Sequence, residues 1–418
     1  AAAGAPADAE DVAILVRWAR AHRRPLVARG GGTSLEGSAV PPDGGVVVDF
    51  SGWTSIGPVD AMSRTVEVGP GVLNRDLHAH LQPDRLFFPP NPGSWTTSTI
   101  GGNVATNASG PRSLRYGATR RWVRELEVVL GTGERLRLGS PLAKRSVGPD
   151  LLGLLVGSEG TLGLVTSVRL DLAGSPARRA GLVVPIPPSA PLGRFARGLV
   201  GARDLGLSAL EYLDGPSATE LSREVGSRLP GGAPLLLAEI ESADEESEGR
   251  ALERFATTLR ALGAPSDPLV YPDADELWTR RGRSGTVLDR RYGERVREDV
   301  GVPLDRLDEL AGALGRIAEE FAVPLYVYGH LGQGNLHPNF VLDPASGAAG
   351  RLRRRLYEET YRLGGTIGAE HGLGIRKRAF LAHEVGGPAV ALLQRIKDAC
   401  DPDGILNPGK LLPDRAPG

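Results

Sequence analysis

Apolar positions before residue 173 predict short strands interrupted by helices. From Asp8 to Pro25 they recur at helical spacing, and Asp8 has the short polar side chain typical of a helix N-cap. Residues 124–138 predict a β-hairpin around the glycine-containing turn 131–133. The other elements predicted here are strands at 26–28, 46–48, 65–68 and 162–172 and a helix at 73–81.

A proline-rich stretch, 183–188, precedes a second series of elements in which strands and helices alternate. Such alternation predicts an open sheet covered by helices. The predicted elements are helices at 193–205 and from Asp244 to about 262, and strands at 208–213, 234–241, 325–330 and 336–341.

Composition excludes several classes of protein. The chain of 418 residues is long enough for two domains, and its net charge of −1 argues against a dedicated nucleic-acid binder. Cys400 is its single cysteine, which rules out a disulfide framework or an iron–sulfur cluster on this chain. No signal peptide or apolar run of bilayer length is visible. We expect a cytoplasmic protein, peripheral to a membrane at most; the start without methionine leaves the true amino terminus open.

A glycine-rich segment, Arg29-Gly30-Gly31-Gly32-Thr33-Ser34, follows the first predicted strand. Glycines accept positive φ, so consecutive amides can form a nest for an anion such as a diphosphate. The spacing differs from the Rossmann fingerprint, and no helix is predicted to begin at the loop. By itself such a loop is more often only a turn.

Two later segments favour a large ligand. Residues 89–110 are mostly small or hydroxylated, yet include Trp95, Ile100 and Val104, which a flexible linker would not carry. Backbone of this kind can lie flat against a planar ligand. The segment 157–166 repeats the small-residue pattern.

Three histidines and a glutamate lie in two glycine-punctuated segments. His330 and His337 flank a glycine loop between two predicted strands, and a hairpin there would bring them together. Glu370 and His371 are adjacent in the second segment. Two imidazoles and a carboxylate make a three-ligand metal site with open positions, and the spare histidine is a candidate base.

Six motifs in order resemble one family over residues 28–410: GGGTSLEG, the NPGSWTTSTIGGNVATNASG region, GSEGTLGLVT, GHLGQGNLHPNF, AEHGLG and LNPGK. They are similar to the FAD-linked oxidases with the vanillyl-alcohol-oxidase-type fold. Within these, the chain resembles the branch of the glycolate oxidase catalytic subunit, D-lactate dehydrogenase and D-2-hydroxyglutarate dehydrogenase.

The resemblance implies an α+β protein. We expect a two-subdomain FAD-binding domain of the p-cresol methylhydroxylase (PCMH) type over 1–172. A ferredoxin-like substrate-binding cap domain, with helices on an antiparallel sheet and the metal site, is expected over 173–385. The segment 386–418 is expected to return to the FAD domain.

The resemblance also implies which residues hold FAD. Residues 30–34 are expected at the diphosphate, the 93–110 stretch at the isoalloxazine, and Glu159 and Val165 near the adenosine. No histidine lies in these loops, so FAD is expected to be non-covalent. The implied FAD residues are Arg29, Gly30, Gly31, Gly32, Thr33, Ser34, Gly93, Ser94, Thr99, Gly102, Asn103, Thr106, Ser109, Glu159, Val165 and Asn407.

By the same resemblance, His330, His337 and Glu370 are the ligands of a zinc or manganese ion, and His371 is the base. Substrate contacts are implied for Arg281, Arg297 and Asn339. Gly285 stands where the D-2-hydroxyglutarate enzymes carry threonine, which argues against that substrate. The alternative for the arginines is an exposed, solvated helix.

The implied reaction oxidises a small D-2-hydroxy acid to the 2-oxo acid, with hydride passing to flavin N5. The electron acceptor (a quinone, an electron-transfer flavoprotein or a redox subunit) and a homodimeric state stay open. Three alternatives also stay open: an oxidase releasing hydrogen peroxide, a transferase like alkylglycerone-phosphate synthase, and a non-catalytic interaction protein stabilised by flavin or metal.

Overall fold

A computed structural model describes residues 2–42, 44–142, 144, 146–225 and 229–413. The strands in chain order are β1 Ala2–Gly4, β2 Leu26–Arg29, β3 Val46–Asp49, β4 Thr65–Val68, β5 Leu86–Phe87, β6 Val123–Leu130, β7 Arg135–Gly139, β8 Gly163–Asp171, β9 Ala173–Gly174, β10 Arg178–Pro185, β11 Leu207–Leu213, β12 Leu235–Ser242, β13 Leu269–Tyr271, β14 Val296–Arg297, β15 Val300–Gly301, β16 Leu325–His330 and β17 Asn335–Phe340.

The α-helices are α1 Ala9–His22, α2 Asn74–Leu81, α3 Ile100–Thr106, α4 Ser113–Tyr116, α5 Leu151–Leu155, α6 Leu192–Gly201, α7 Gly215–Val225, α8 Glu245–Leu262, α9 Ala274–Gly282, α10 Ser284–Tyr292, α11 Leu307–Glu320, α12 Gly347–Arg362, α13 Leu381–Val385 and α14 Gly387–Cys400. None of the helices in the described part of the chain has the length and apolar composition needed to cross a bilayer.

The chain divides into two compact units. The first unit contains residues 1–110, 116–175 and 370–418, and the second contains 111–115 and 176–369. The domain boundaries predicted at 172/173 and 385/386 stay predictions.

The first unit contains two main sheets. One is parallel, in the order β1-β3-β2, and the other is antiparallel, in the order β4-β8-β6-β7. Helix α1 begins after Asp8, whose carboxylate accepts from the amides of Glu10 and Asp11, and it packs its apolar face on the parallel sheet. The predicted N-cap and the predicted 124–138 hairpin are therefore confirmed.

The carboxyl-terminal segment is part of the first unit. Leu406 pairs with Leu26 beside the parallel sheet. The buried Lys397 ammonium, which forms an ion pair with Asp401, donates to the carbonyls of Thr161 and Leu406. These contacts hold the last turn against the strand that leads into the glycine-rich loop.

The second unit is built on one eight-stranded sheet. The order is β13-β10-β12-β11-β16-β17-β14, with β15 also paired to β17, and every pairing is antiparallel. Its strands β11 and β12 are apolar along most of their length and buried, and helices α6 to α12 belong to the same unit. The predicted sheet covered by helices is confirmed.

Candidate functional site

The glycine-rich loop lies against the second small-residue segment within the first unit. A Cβ on Gly30 would lie 2.1 Å from Thr99 Oγ1, and one on Gly31 would lie 2.1 Å from the carbonyl oxygen of Thr97. Gly32 has φ of +66°, where side chains are strained. Gly30 and Gly31 are therefore required by the close approach of two loops that are far apart in the sequence, and Gly32 by its backbone conformation.

Several predicted FAD residues also have partners inside the protein. Thr99 caps α3 by accepting from the Gly102 amide, and Thr106 donates to the Gly102 carbonyl. Asn103 is buried and donates to Asn74 Oδ1 at 2.8 Å. Asn74, which the sequence reasoning missed, donates in turn to Ser98. These contacts fix the shape of the 93–110 loop, whereas Gly93 lies in its exposed part with no heavy atom within 4 Å of an added Cβ.

Glu159 connects three segments of the first unit. Its buried carboxylate accepts from Ser38 Oγ at 2.6 Å and from the amides of Leu373 and Gly374. The Asn407 amide donates to the carbonyl oxygens of Ser38 and Glu159. The sequence predicted Glu159 and Asn407 as FAD residues, and the structure places them beside each other. The motif did not reveal that Glu159 also connects the segments containing Ser38 and Gly374.

The first unit offers features that fit FAD. Gly31 and Gly32 are exposed, Thr33 and Ser34 are half-buried, and these loops carry amide and hydroxyl donors suited to a diphosphate. The buried Asn407 Oδ1 has no hydrogen-bond partner among the residues that the structure describes. A buried acceptor of this kind suits a ligand with hydroxyl or amino donors.

Glu370 and His371 lie in the first unit next to the predicted flavin loop. Ser109 Oγ donates to Glu370 Oε2 at 3.0 Å, and His371 Nε2 lies 3.2 Å from Glu370 Oε1. The His371 side chain is 25% exposed, so a small molecule can reach the ring. The structure thus brings the predicted metal ligand Glu370 into contact with the end of the 93–110 segment, with the predicted base beside it.

In the second unit, β16 and β17 form the hairpin expected from the sequence. Tyr328 is opposite His337 in the register, and His330 is opposite Asn335. The rings of His330 and His337 are 5.1 Å apart between centroids and nearly perpendicular. Both side chains are more than 90% buried, and each has a ring nitrogen within 4.8 Å of one on the other.

The Nδ1 atom of His330 forms a hydrogen bond with a buried carboxylate, whereas the Nδ1 atom of His337 lies near one at a distance longer than a normal hydrogen bond. Glu211 Oε1 on β11 is 2.6 Å from His330 Nδ1, and Asp299 Oδ1 is 3.5 Å from His337 Nδ1. Asn335 donates to Asp299 at 2.7 Å. A histidine that donates from Nδ1 keeps the lone pair of Nε2 for a metal ion, and metal-binding histidines commonly have such a carboxylate partner. The donor set of this unit therefore fits a divalent metal.

The predicted substrate arginines lie in different surroundings. Arg281 is 7% exposed, pairs with Glu211 at 2.7 Å and lies over the Tyr328 ring, so the solvated-helix alternative is wrong for this residue. Arg297 is partly exposed and pairs with Asp289 at 3.1 Å.

Asn339, the third predicted substrate residue, is buried on β17. Its side chain accepts from Arg295 Nε at 3.0 Å and donates to the His337 carbonyl. Arg295, which the sequence reasoning did not single out, is itself buried and paired with Asp289. Gly285 has no side chain beside Tyr328. A Cβ added to Gly285 would lie 3.2 Å from the Tyr328 hydroxyl oxygen.

Comparison with known proteins defines the family. Residues 1–139 match the FAD binding domain, and residues 175–411 match the C-terminal domain of FAD linked oxidases. Among solved structures, p-cresol methylhydroxylase matches with a TM-score of 0.82 at 18% identity, covering 98% of this chain and 88% of that one. The chain belongs to the FAD-linked oxidases, and the expected α+β fold of PCMH type with an antiparallel-sheet second domain is confirmed.

Three curated relatives are similar over nearly the whole chain. The glycolate oxidase subunit GlcD of Bacillus subtilis is 32% identical, covering 97% of this chain and 88% of the relative. The D-2-hydroxyglutarate dehydrogenase of Stutzerimonas stutzeri is 32% identical, with 97% and 89% covered. The D-lactate dehydrogenase of Archaeoglobus fulgidus is 33% identical, with 97% and 90% covered.

Proposed function

We propose that this protein oxidises a small 2-hydroxy acid of D configuration to the 2-oxo acid, using FAD and a divalent metal. Three relatives whose names specify glycolate, D-lactate or D-2-hydroxyglutarate support the substrate class. The observation that carries the metal requirement is the pair of buried, neighbouring histidines, of which His330 has a carboxylate hydrogen-bonded to Nδ1.

The first unit is proposed to bind FAD through the loops that its glycines hold together. The 29–34 amides and hydroxyls would take the diphosphate, and the 93–110 backbone would lie along the flavin ring. When bound, FAD supplies the acceptor for the hydride that leaves the substrate Cα. Asn407 and Glu159 would support the adenosine end of FAD, because their hydrogen bonds connect the segments that contain Ser38, Glu159 and Gly374.

His330 and His337 are proposed as two metal ligands, since both rings are buried with ring nitrogens close to each other and the Glu211 carboxylate orients His330. Glu370 is proposed as the third ligand, on the strength of the sequence motif. A divalent metal would lower the pKa of the substrate hydroxyl and hold it with a carboxylate oxygen. Zinc and manganese both suit this set of nitrogen and oxygen donors.

His371 is proposed as the base that removes the hydroxyl proton. An imidazole has an ordinary pKa near the working pH, so its neutral form can accept a proton while hydride leaves Cα. Arg297, which is 37% exposed, is proposed to attract the substrate carboxylate. Arg281 is proposed as a buried positive charge near the substrate carboxylate. Glu211 already balances the charge of this arginine.

An anaerobic flavin titration tests the function. We expect the absorbance of bound FAD near 450 nm, roughly the usual flavin maximum, to bleach with a D-2-hydroxy acid and to persist with its L enantiomer. The test panel would include D-lactate and D-2-hydroxyglutarate, each with its L enantiomer, and the achiral glycolate. Dialysis against a chelator should lower the bleaching rate, and zinc or manganese should restore it; full turnover by metal-free protein would overturn the metal requirement.

The His371→Asn variant tests the base in the same titration. It should keep FAD and lose flavin reduction by about 100- to 10,000-fold, the range of general base catalysis. His383→Asn is the matched control, because His383 lies on α13 of the same unit and has no proposed role. An unchanged reduction rate in His371→Asn would exclude His371 as the base.

Two further results distinguish the alternative functions. Formation of hydrogen peroxide in air would indicate an oxidase rather than a dehydrogenase. If no member of the panel bleaches the flavin, the transferase and the non-catalytic alternatives are favoured.

A further inference from the structure

One buried carboxylate in the second unit contacts two groups of the proposed site. Glu211 Oε1 is 2.6 Å from His330 Nδ1, and Glu211 Oε2 is 2.7 Å from a terminal nitrogen of Arg281. The Glu211 side chain is 0% exposed, and those of His330 and Arg281 are 9% and 8% exposed. Water therefore contributes little to the solvation of this carboxylate.

The fold supplies this arrangement from three separate elements. Glu211 is on β11, His330 is at the end of β16, and Arg281 is in the last turn of α9. Strands β11 and β16 are neighbours in the sheet, with Tyr212 opposite Gly329. Gly329 must be a glycine at this point, because a Cβ would lie 2.4 Å from the Asn335 carbonyl oxygen on β17.

The chemistry of a carboxylate determines which proton His330 carries. An ionised carboxylate can only accept hydrogen bonds, so the His330 ring must donate from Nδ1. A neutral ring that donates from Nδ1 has its lone pair on Nε2, the form that binds a metal. The Arg281 guanidinium balances the buried negative charge, which makes this arrangement tolerable away from water.

We infer that Glu211 is a positioning residue for the proposed metal site, holding His330 in the tautomer that binds metal and Arg281 in place beside it. The inference rests on the proposed function in one respect, the role of His330 as a metal ligand. It adds a residue that carries no recognisable motif in the sequence.

Glu239 provides a matched control on the adjacent strand. It is also a fully buried glutamate, on β12, and its carboxylate binds an arginine, Arg112, at 2.9 Å. Its other partners are Ser208, Trp278 and, at 3.8 Å, Arg179, with no histidine among the contacts that the structure gives it. Glu239→Gln therefore removes a comparable buried charge from the same sheet without touching a proposed ligand.

The test compares Zn²⁺ affinity in Glu211→Gln, Glu239→Gln and the unsubstituted protein, each as the FAD-bound full chain, by competition with a chromophoric chelator. Glutamine has one acceptor and one donor group, so it cannot accept from both His330 and Arg281. If its oxygen faces Arg281, its amino group faces Nδ1 and favours the wrong tautomer. We expect Glu211→Gln to bind Zn²⁺ about 10- to 100-fold more weakly, the usual effect of losing such a partner.

Glu239→Gln should keep the Zn²⁺ affinity within about twofold, and FAD content should be unchanged in both variants, because the loss concerns a metal ligand alone. Equal losses in the two variants would overturn the inference, since they would indicate a general effect of a missing buried charge. Unchanged affinity in Glu211→Gln would also overturn it. If Glu211→Gln does not fold, Glu211→Asp, which shortens the reach to His330 and keeps the charge, takes its place with the same expectation.

A measurement on the metal-free unsubstituted protein separates this inference from the proposed function. Long-range ¹H–¹⁵N correlation spectra at pH 8, with His330 assigned from a His330→Asn variant, report the tautomer directly. A proton on Nδ1 supports the inference even if Zn²⁺ does not bind and the metal part of the proposed function fails. A proton on Nε2 overturns the inference even if the enzyme proves metal-dependent.

Discussion

Asp214 shows how single buried carboxylates hold the second unit together. It lies directly before α7, accepts from the Ser217 amide at 2.7 Å, and accepts from the Val327 amide on β16 at 2.8 Å. One side chain therefore caps a helix and fixes the strand that carries His330. Burial raises the pKa of the Asp214 carboxyl to about 6, although these hydrogen bonds oppose the shift.

The raised pKa predicts a pH-dependent stability. The folded protein holds a proton on Asp214 up to about pH 6, whereas the unfolded chain releases it near its ordinary value of 3.8. Between those values the folded state binds more protons, so the free energy of unfolding falls as pH rises, by up to about 3 kcal/mol for a shift of two units. Asp214→Asn should flatten this decline between about pH 4 and pH 6, the window that the shift defines.

Denaturant midpoints at the two pH values measure the effect. Asp273→Asn is the control, since Asp273 caps α9 in the same way but is exposed. An Asp214→Asn variant with the same pH slope as the unsubstituted protein would contradict the prediction. At low pH the variant should be less stable, because asparagine can accept from only one of the two amides.

At the residue scale, the sequence predicted the chemistry of the histidines but not their partners. His330, His337 and Glu370 could be found because histidines and acids between glycines are uncommon and carry a recognisable pattern. Glu211 lies in β11, an otherwise ordinary strand, and no local sequence pattern distinguishes it. Its contact with His330 exists only because β11 pairs with β16, and no rule of spacing predicts that pairing.

At the scale of elements, the residue types allowed in the glycine-rich loop are set by the 93–110 segment that packs against it. Gly31 is exposed, yet a Cβ there would lie 2.1 Å from the Thr97 carbonyl, which is backbone and cannot rotate away. Gly31→Ala must therefore move one of the two loops. We expect the purified variant to retain less than about a tenth of the FAD of the unsubstituted protein, since a displaced loop loses several phosphate contacts at once.

The matched control is Gly52→Ala, which has no heavy atom within 4 Å of the added Cβ. It should keep full FAD content. The ratio of absorbance at 450 and 280 nm, roughly the flavin and protein maxima, gives the FAD content of each variant. Full FAD in Gly31→Ala would show that the loop tolerates the displacement and that the 30–34 segment is not the diphosphate site.

The elements themselves were largely predictable. Periodicity predicted the α1 helix and the 124–138 hairpin, and the structure has α1 at Ala9–His22 and β6 with β7 around the same turn. These elements depend on local patterns of apolar residues and on caps. Short strands such as β14 and β15 were not predicted, because two-residue strands are defined only by the strand, β17, with which they pair.

At the scale of the whole molecule, the predicted FAD residues and the two predicted histidine ligands belong to different units. All the predicted FAD residues belong to the first unit, whereas His330 and His337 belong to the second. A ligand stabilises the state to which it binds, by about 2.7 kcal/mol at a free concentration of 100 times Kd. FAD should therefore slow hydrogen exchange mainly in the first unit.

Hydrogen-exchange mass spectrometry of the protein with and without FAD checks this expectation. Peptides covering 29–34, 93–110 and 157–165 should exchange more slowly with FAD, because binding suppresses their local opening. Peptides from β11 and β12 of the second unit serve as the internal reference. Protection confined to the second unit would contradict the assignment of the FAD site.

The sequence by itself determined the family, the class of fold, and the residue types of the two proposed sites. It could do so because glycines at close approaches and histidines at ligand positions leave patterns within a few residues of each other. Tertiary structure decided which groups complete those sites: Thr97 against Gly31, Glu159 beneath Ser38 and Gly374, and Glu211 between His330 and Arg281. Each of these contacts joins segments far apart in the chain, and a buried carboxylate is tolerated only where the fold brings its donors to it.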